Sequence, residues 1–169
     1  DSGEDIATVI ITVVNVKPAV SAGADDTIDE GDTFTGSGSF KDVGVDDTWT
    51  ATVDYGDGTG VQTLTLGGKT FALSHTYVDD NPTTTPQDDY TITVKVKDDD
   101  GGEGFDTVII TVVNVDPVLT LTTSPLISLH GGDVFYGSVG TPQTHEASAT
   151  DVGADDLTFT WNAPSTSTN

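Results

Sequence analysis

The chain has no cysteine, no methionine and no arginine. Without thiols it forms neither disulfides nor thiolate metal sites, although this alone does not place it in a reducing compartment. Its basic side chains are five lysines, Lys17, Lys41, Lys69, Lys95 and Lys97, against 28 acids, for a formal charge of −23. Phosphate recognition needs clustered Lys or Arg, so a nucleic-acid partner is not expected. Attachment to an anionic membrane surface is disfavoured on the same ground. No apolar run reaches membrane-spanning length, so direct membrane insertion is not expected either. Ala-Leu-Glu-Lys helical runs are missing too. What remains is rich in Thr, Val, Gly and Asp, with 34% apolar residues. Thr and Val favour strands, and the expected fold class is all-β with a modest core.

An internal repeat organises the chain. Residues 1–18 and 100–117 match at 13 of 18 positions, including the unbroken stretch Thr-Val-Ile-Ile-Thr-Val-Val-Asn-Val. The offset is 99 residues, about the length of one small β-sandwich. A second echo, Asp42-Val-Gly-Val-Asp-Asp47 and Asp151-Val-Gly-Ala-Asp-Asp156, has an offset of 109, an insertion of about ten residues. The expected organisation is therefore tandem: 1–16 as the last strand of a preceding repeat, 17–116 as a complete repeat, and 117–169 as the first half of another. The sequence is expected to be an excerpt of a longer chain. The junctions Asn15-Val-Lys-Pro18 and Asn114-Val-Asp-Pro117 are short. Proline ends each strand and stiffens the link, which favours a rod of close-set domains.

Period-two alternation marks strands in 17–116. Phe34, Gly36, Gly38 and Phe40 share one parity, as do Trp49, Ala51, Val53 and Tyr55. Leu64 with Leu66, then Phe71, Leu73, His75 and Tyr77, and finally Tyr90, Ile92, Val94 and Val96 form further inward sets. A leading strand at 19–28 and a last strand at 106–115, apolar on both faces, bring the expected number to about seven. Gly31-Asp32, Gly56-Asp57-Gly58, Gly67-Gly68 and Gly101-Gly102 supply the turns.

Two stretches carry a family resemblance. Trp49 to Gly58, ending Asp54-Tyr55-Gly56-Asp57-Gly58, resembles the first signature of PKD (polycystic kidney disease) repeats, and His75-Thr-Tyr77 followed by Tyr90 to Asp98 is similar to the second. The resemblance implies immunoglobulin-like sandwiches used in extracellular proteins. Segment 78–89, with Pro82 and Pro86, is longer than the family's turn and is expected to form an exposed flap. In the third unit Leu157 to Trp161 fits the corresponding strand, but Asn162-Ala-Pro-Ser165 replaces the aromatic-Gly-Asp-Gly pattern.

Catalysis finds little support, and the chain is not expected to be an enzyme. His75 lies on an inward strand parity and reads as a packed structural residue; His130 and His145 accompany no nucleophile motif. There is no GxSxG, HExxH or P-loop. Hard oxygen ligands suit Ca²⁺. In an immunoglobulin-like sandwich the loop after the second strand and the loop before the last strand lie at one end. They carry Asp42, Asp46 and Asp47, and Asp98, Asp99, Asp100 and Glu103. These seven acids are the candidate calcium ligands, with a solvated acidic surface as the alternative. The Gly-Asp-Gly turn of a neighbouring repeat is expected nearby. Asp54 and Asp57, and likewise Glu30 and Asp32, read as turn-forming residues.

The expected function is that of a structural or assembly repeat in a large secreted or cell-surface protein, such as an adhesin stalk, an S-layer component or an extracellular filament, rigidified by calcium. Its partners would be neighbouring repeats of the same protein. Head-to-tail association, in which the strand near Thr8–Val16 of one copy completes 117–169 of another, is one form this takes; flanking residues of the same chain are the other. An accessory module of a secreted hydrolase, holding polysaccharide or protein, is the alternative function. It would need an exposed aromatic strip, whereas the aromatics fall mostly on inward parities. High acidity also suits a salt-loving source, for which general salt rather than calcium would screen the charge.

Overall fold

A computed structural model describes residues 3–80, 83, 85–123, 126–129, 132–135, 145–153 and 155–160, with backbone alone between 122 and 145. His130, Asn81, Pro82 and the stretch Trp161 to Ser165 lie outside the described residues, and the side chain of His145 is not described. Every described element is a strand. These are β1 (Ala19–Ser21), β2 (Asp26–Asp29), β3 (Thr33–Lys41), β4 (Trp49–Asp54), β5 (Gln62–Leu64), β6 (Thr70–Thr76), β7 (Gln87–Asp98), β8 (Glu103–Val113), β9 (Val118–Thr123), β10 (Leu126–Leu129), β11 (Gly132–Phe135) and β12 (His145–Thr150).

The contacts divide the chain into two units. The first comprises Asp1–Ile28, Thr33–Thr76 and Asp89–Thr111 and is the sandwich. One sheet has the order β1-β3-β6 and the other β2-β8-β7-β4-β5. Alternation decides what is buried: Phe34 and Phe40 from β3, Ala51 and Val53 from β4, Phe71 and Leu73 from β6, and Ile92, Val94 and Val96 from β7. Each such side chain contributes about 1.5–3 kcal/mol on leaving water. Gly36 and Gly38 occupy the inward positions between Phe34 and Phe40, and a Cβ on either would overlap the ring of Phe34 or Phe71.

The expected leading strand is in fact two short ones. β1 pairs with β3, while β2 belongs to the other sheet, so the chain changes sheet between them. The last strand also differs from expectation. In β8, Val108, Ile110 and Val112 are buried, but Phe105 and Ile109 are exposed, because only one face of the five-stranded sheet is covered. The 78–89 segment is shortened by β7, which begins at Gln87. Residues 3–18 form no strand, and Ile6, Val9, Ile10, Ile11, Val13 and Val14 are 76–90% exposed. A strand exists only with a ladder partner, and this segment has none here.

The second unit comprises Asp29–Asp32, Tyr77–Asp88 and Val112–Asn169. Its strands pair as β10-β11 and as β9-β12. The β9-β12 register, Val118↔Thr150 through Thr120↔Ser148, is that of β1-β3, Ala19↔Lys41 through Ser21↔Ser39, shifted by 99 and 109 residues. Those are the offsets of the two sequence echoes.

Core burial gives a direct expectation. Ile92→Ala, at a fully buried position of β7, should lower unfolding free energy by about 2–5 kcal/mol in urea titrations. Ile109→Ala, on the open face of β8, should cost less than about 1 kcal/mol.

Candidate metal centres

The loop between β3 and β4 turns back on itself at Asp42. One oxygen of Asp42, Oδ1, accepts the amide of Gly44 at 3.3 Å and the other, Oδ2, accepts Trp49 Nε1 at 2.9 Å. Trp49 is in turn fixed edge-on against Phe40, with centroids 5.4 Å apart, and under Lys69 Nζ, 4.6 Å from its ring. Lys69 also donates to the Asp42 carbonyl at 2.9 Å. The indole bond, helped by the Gly44 and Val43 amides and by Lys69, outweighs burial and holds Asp42 below the ordinary carboxylate range.

Across from it, the β7–β8 turn is built on Asp98. Its Oδ1 accepts the Gly102 amide at 2.6 Å, and its Oδ2 accepts Asn15 Nδ2 at 2.9 Å. Asp98 is buried at 3% exposure, and the entering linker is thereby tied to this turn. Asp42, Asp47 and Asp98 each place a carboxylate oxygen within 4.8 Å of the others. Oxygens that far apart can share one ion at Ca²⁺–O distances of about 2.4 Å. Asp47 Oδ2 is buried without a hydrogen-bond partner. Burial raises its carboxyl above the ordinary value, and Asp42, Asp99, Asp98 and Asp100 add to the effect.

The other four expected ligands are placed differently. Asp99 accepts the Thr48 amide at 3.0 Å, and Glu103 pairs with Lys95 and Lys97 at 3.3 and 3.8 Å. Asp46 and Asp100 are exposed and outside the three-carboxylate group. The Gly-Asp-Gly turn is self-contained. Asp54 accepts the Gly56 amide; Asp57 accepts Thr59 and pairs with His75 Nε2 at 2.7 Å. Burial pushes Asp57 up, but the Thr59 and His75 hydrogen bonds outweigh it and leave it below its ordinary value. His75 stacks on Tyr55 at 4.2 Å, the packed role its strand parity suggests. Gly56 has a φ of 80°, and a Cβ there would overlap the Thr91 carbonyl.

Sequence reasoning missed a second acidic group. Glu30, read as a turn residue, is 2% exposed. The turn is real, since Asp32 bonds the Asp29 carbonyl at 3.1 Å. Glu30 itself is clamped by backbone: its amide donates to the Val113 carbonyl at 2.9 Å, and its Oε1 accepts the Val115 amide at 2.8 Å. Its Oε2 is buried with no partner, as are Asp80 Oδ2 and Asp151 Oδ2. Two groups of carboxylate oxygens within 4.8 Å share Glu30: one with Asp79 and Asp80, the other with Asp151 and Asp155. Burial, then Asp155, Asp80 and Asp151, raise Glu30; burial, then Asp155, Asp79 and Asp88, raise Asp80. Ionised carboxylates about 5 Å apart repel by roughly 3 kcal/mol at an effective dielectric constant of 20. The only signal in the sequence was the recurrence of Asp151-Val-Gly153, which repeats Asp42-Val-Gly44.

A groove of about 900 Å³ on the sandwich is lined by Ser37, Ser39, Thr63, Thr70 and Ser74, with the Tyr55 and Phe71 rings buried in its floor. It presents no exposed aromatic face. No helix among the described residues is long and apolar enough to cross a membrane.

The raised Glu30 carboxyl has a defined consequence without metal. The folded state takes up its proton at higher pH than the unfolded chain, so this group's contribution to stability falls as pH rises through that window. In chelator at pH 7, Glu30→Gln should therefore be more stable than the parent by about 1–3 kcal/mol. The gap should close as pH is lowered through the carboxylate range, as read by thermal melts.

A family model of the PKD domain matches residues 15–112. No curated protein matches the chain.

Proposed function

The chain belongs to the PKD domain family, and from that premise we propose that it is a structural and assembly repeat of a large secreted or cell-surface protein, rigidified by calcium. PKD domains typically occur in extracellular proteins as structural or binding modules. An adhesin stalk, an S-layer component or an extracellular filament is a setting that such a repeat would suit. The observation that carries the reading is the Asp42–Asp47–Asp98 group, to which the linker is tethered through Asn15. A divalent ion there would neutralise carboxylates from two loops and stiffen the entry of the chain, turning a hinge into a joint. The repeated register of β1-β3 in β9-β12 supports a serial arrangement. The alternative role in holding polysaccharide gains nothing from the Ser- and Thr-lined groove, which lacks stacking rings.

Association of copies is part of the proposal. Residues 8–16 have the sequence of 107–115, most of which is β8, the strand that lies between β2 and β7 in the complete repeat. The exposed segment therefore has the side chains of a central strand and would add to a repeat lacking one, a heterologous contact that propagates.

Millimolar Ca²⁺ should raise Tm by about 5 °C or more, because a ligand of the folded state stabilises by mass action. Mg²⁺ should do less, as it gives up its water reluctantly. Asp47→Asn should remove part of the calcium response; NaCl at matched ionic strength reproducing the whole effect would leave only screening. Deleting residues 1–14 keeps Asn15 and should abolish polymers in sedimentation while the central sandwich stays folded. Unchanged assembly would rule out strand addition.

A further inference from the structure

The Asp42–Asp47–Asp98 group is not the strongest cation trap in the protein. Asp98 has both oxygens engaged, by Gly102 and Asn15. Around Glu30 the situation differs. Glu30 and Asp80 are each more than nine-tenths buried, and each keeps one oxygen with no partner. A buried ionised oxygen without a donor is costly, and Glu30, which lies in one group with Asp80 and in another with Asp151, each with such an oxygen, calls for protons or a cation.

The lysines with charged partners are engaged elsewhere: Lys69 donates to the Asp42 carbonyl, and Lys95 and Lys97 pair with Glu103. Hydrogen bonds do not fill the gap either, because Glu30 Oε1 and Asp151 Oδ1 accept the Val115 and Val152 amides and leave their second oxygens facing the group.

Glycine placement makes the same point. A Cβ on Gly153 would overlap Glu30 Oε2, and a Cβ on Gly44 would overlap the Asp47 carboxylate. Gly44 and Gly153 are 109 residues apart, the spacing of the two Asp-Val-Gly motifs. In both copies the missing side chain is what lets a carboxylate enter the loop, so the same cradle is built twice. The first copy is filled by Asp47 of its own loop. The second is filled by Glu30, far from Asp151 and Asp155 in sequence but in the same unit.

We propose that Glu30 is the shared ligand of a calcium centre, with Asp79 and Asp80 on one side and Asp151 and Asp155 on the other, drawn from three distant stretches of the second unit. The centre lies at an acidic cleft of about 810 Å³ that also exposes Asn114, Asp116 and Asp156. Three carboxylates of either group, some of them bidentate, with water admitted by the open cleft, can supply the six to eight oxygens that Ca²⁺ takes, and the anionic set is too hard for a thiophilic metal. The proposal extends the calcium part of the proposed function but rests on other residues. It makes calcium the agent that holds the three stretches of the second unit together, with Glu30 as the shared ligand.

Isothermal titration of the full chain with Ca²⁺ tests it, with Mg²⁺ as comparison. Wild type should bind calcium in two classes. Asp47→Asn should lose one class, and Glu30→Gln the other, by roughly tenfold or more in affinity. Gly153→Ala keeps every carboxylate but blocks the approach of Glu30, and should match Glu30→Gln. Asp26→Asn, which removes a charge from an exposed strand end, should leave both classes intact. Circular dichroism checks that each variant is folded. If Glu30→Gln and Gly153→Ala both bind as wild type does, the centre is overturned while the Asp47 site stands. If Asp26→Asn weakens binding as much as Glu30→Gln, the effect is general charge and the centre is again overturned. If no variant and no wild type takes up calcium, both sites fall together.

Discussion

The amide of Val115 holds one oxygen of the Glu30 carboxylate, and the other oxygen is buried with no hydrogen-bond partner. A protein with 28 acids and five lysines can answer few of its charges internally. Most of its carboxylates lie in water, where screening suffices. The exceptions are the acids drawn into loops by backbone hydrogen bonds. There, burial and neighbouring carboxylates raise Asp47, Glu30 and Asp80 above the ordinary carboxylate range.

The sandwich matters because it makes those loops rigid. Ile92, Val94 and Val96 anchor β7, whose end places Asp98, while Phe40 and Trp49 flank the loop that carries Asp42 and Asp47. Trp49 serves packing and electrostatics together, since its ring lies against Phe40 and its indole N–H holds Asp42. A carboxylate positioned in this way stays ionised in the absence of metal. Those around Glu30, raised by burial and by one another, do not have that help. The two acidic groups thus differ: the first holds Asp42 below the ordinary range while Asp47 is raised, and in the second both Glu30 and Asp80 are raised.

Much of this was legible beforehand. Alternation in 33–40, 49–55, 71–77 and 90–96 identified the buried side chains, because burial on a sheet has a period of two and needs no knowledge of neighbours. The acidic loops were visible as motifs, and topology put Asp42 and Asp98 at one end. Which acids converge was not legible. Asp99 and Glu103 lie beside Asp98 in sequence, yet one caps Thr48 and the other pairs with lysines. Glu30 looked like a turn residue because its turn is local, while its burial depends on Val113, Val115 and Asp80, far along the chain.

The nine residues Thr-Val-Ile-Ile-Thr-Val-Val-Asn-Val occur twice and show where the division falls. Sequence alone determined their β propensity, the 99-residue offset between the two copies and the identity of the motifs, since these follow from side-chain pattern and self-similarity. Only tertiary structure decided that 107–113 belong to a central strand while 8–16 form none, because a strand is completed by the hydrogen bonds of a partner that the segment does not itself encode. The same holds for Glu30: its chemistry is in the sequence, but the buried, unanswered oxygen exists only where distant segments have closed around it.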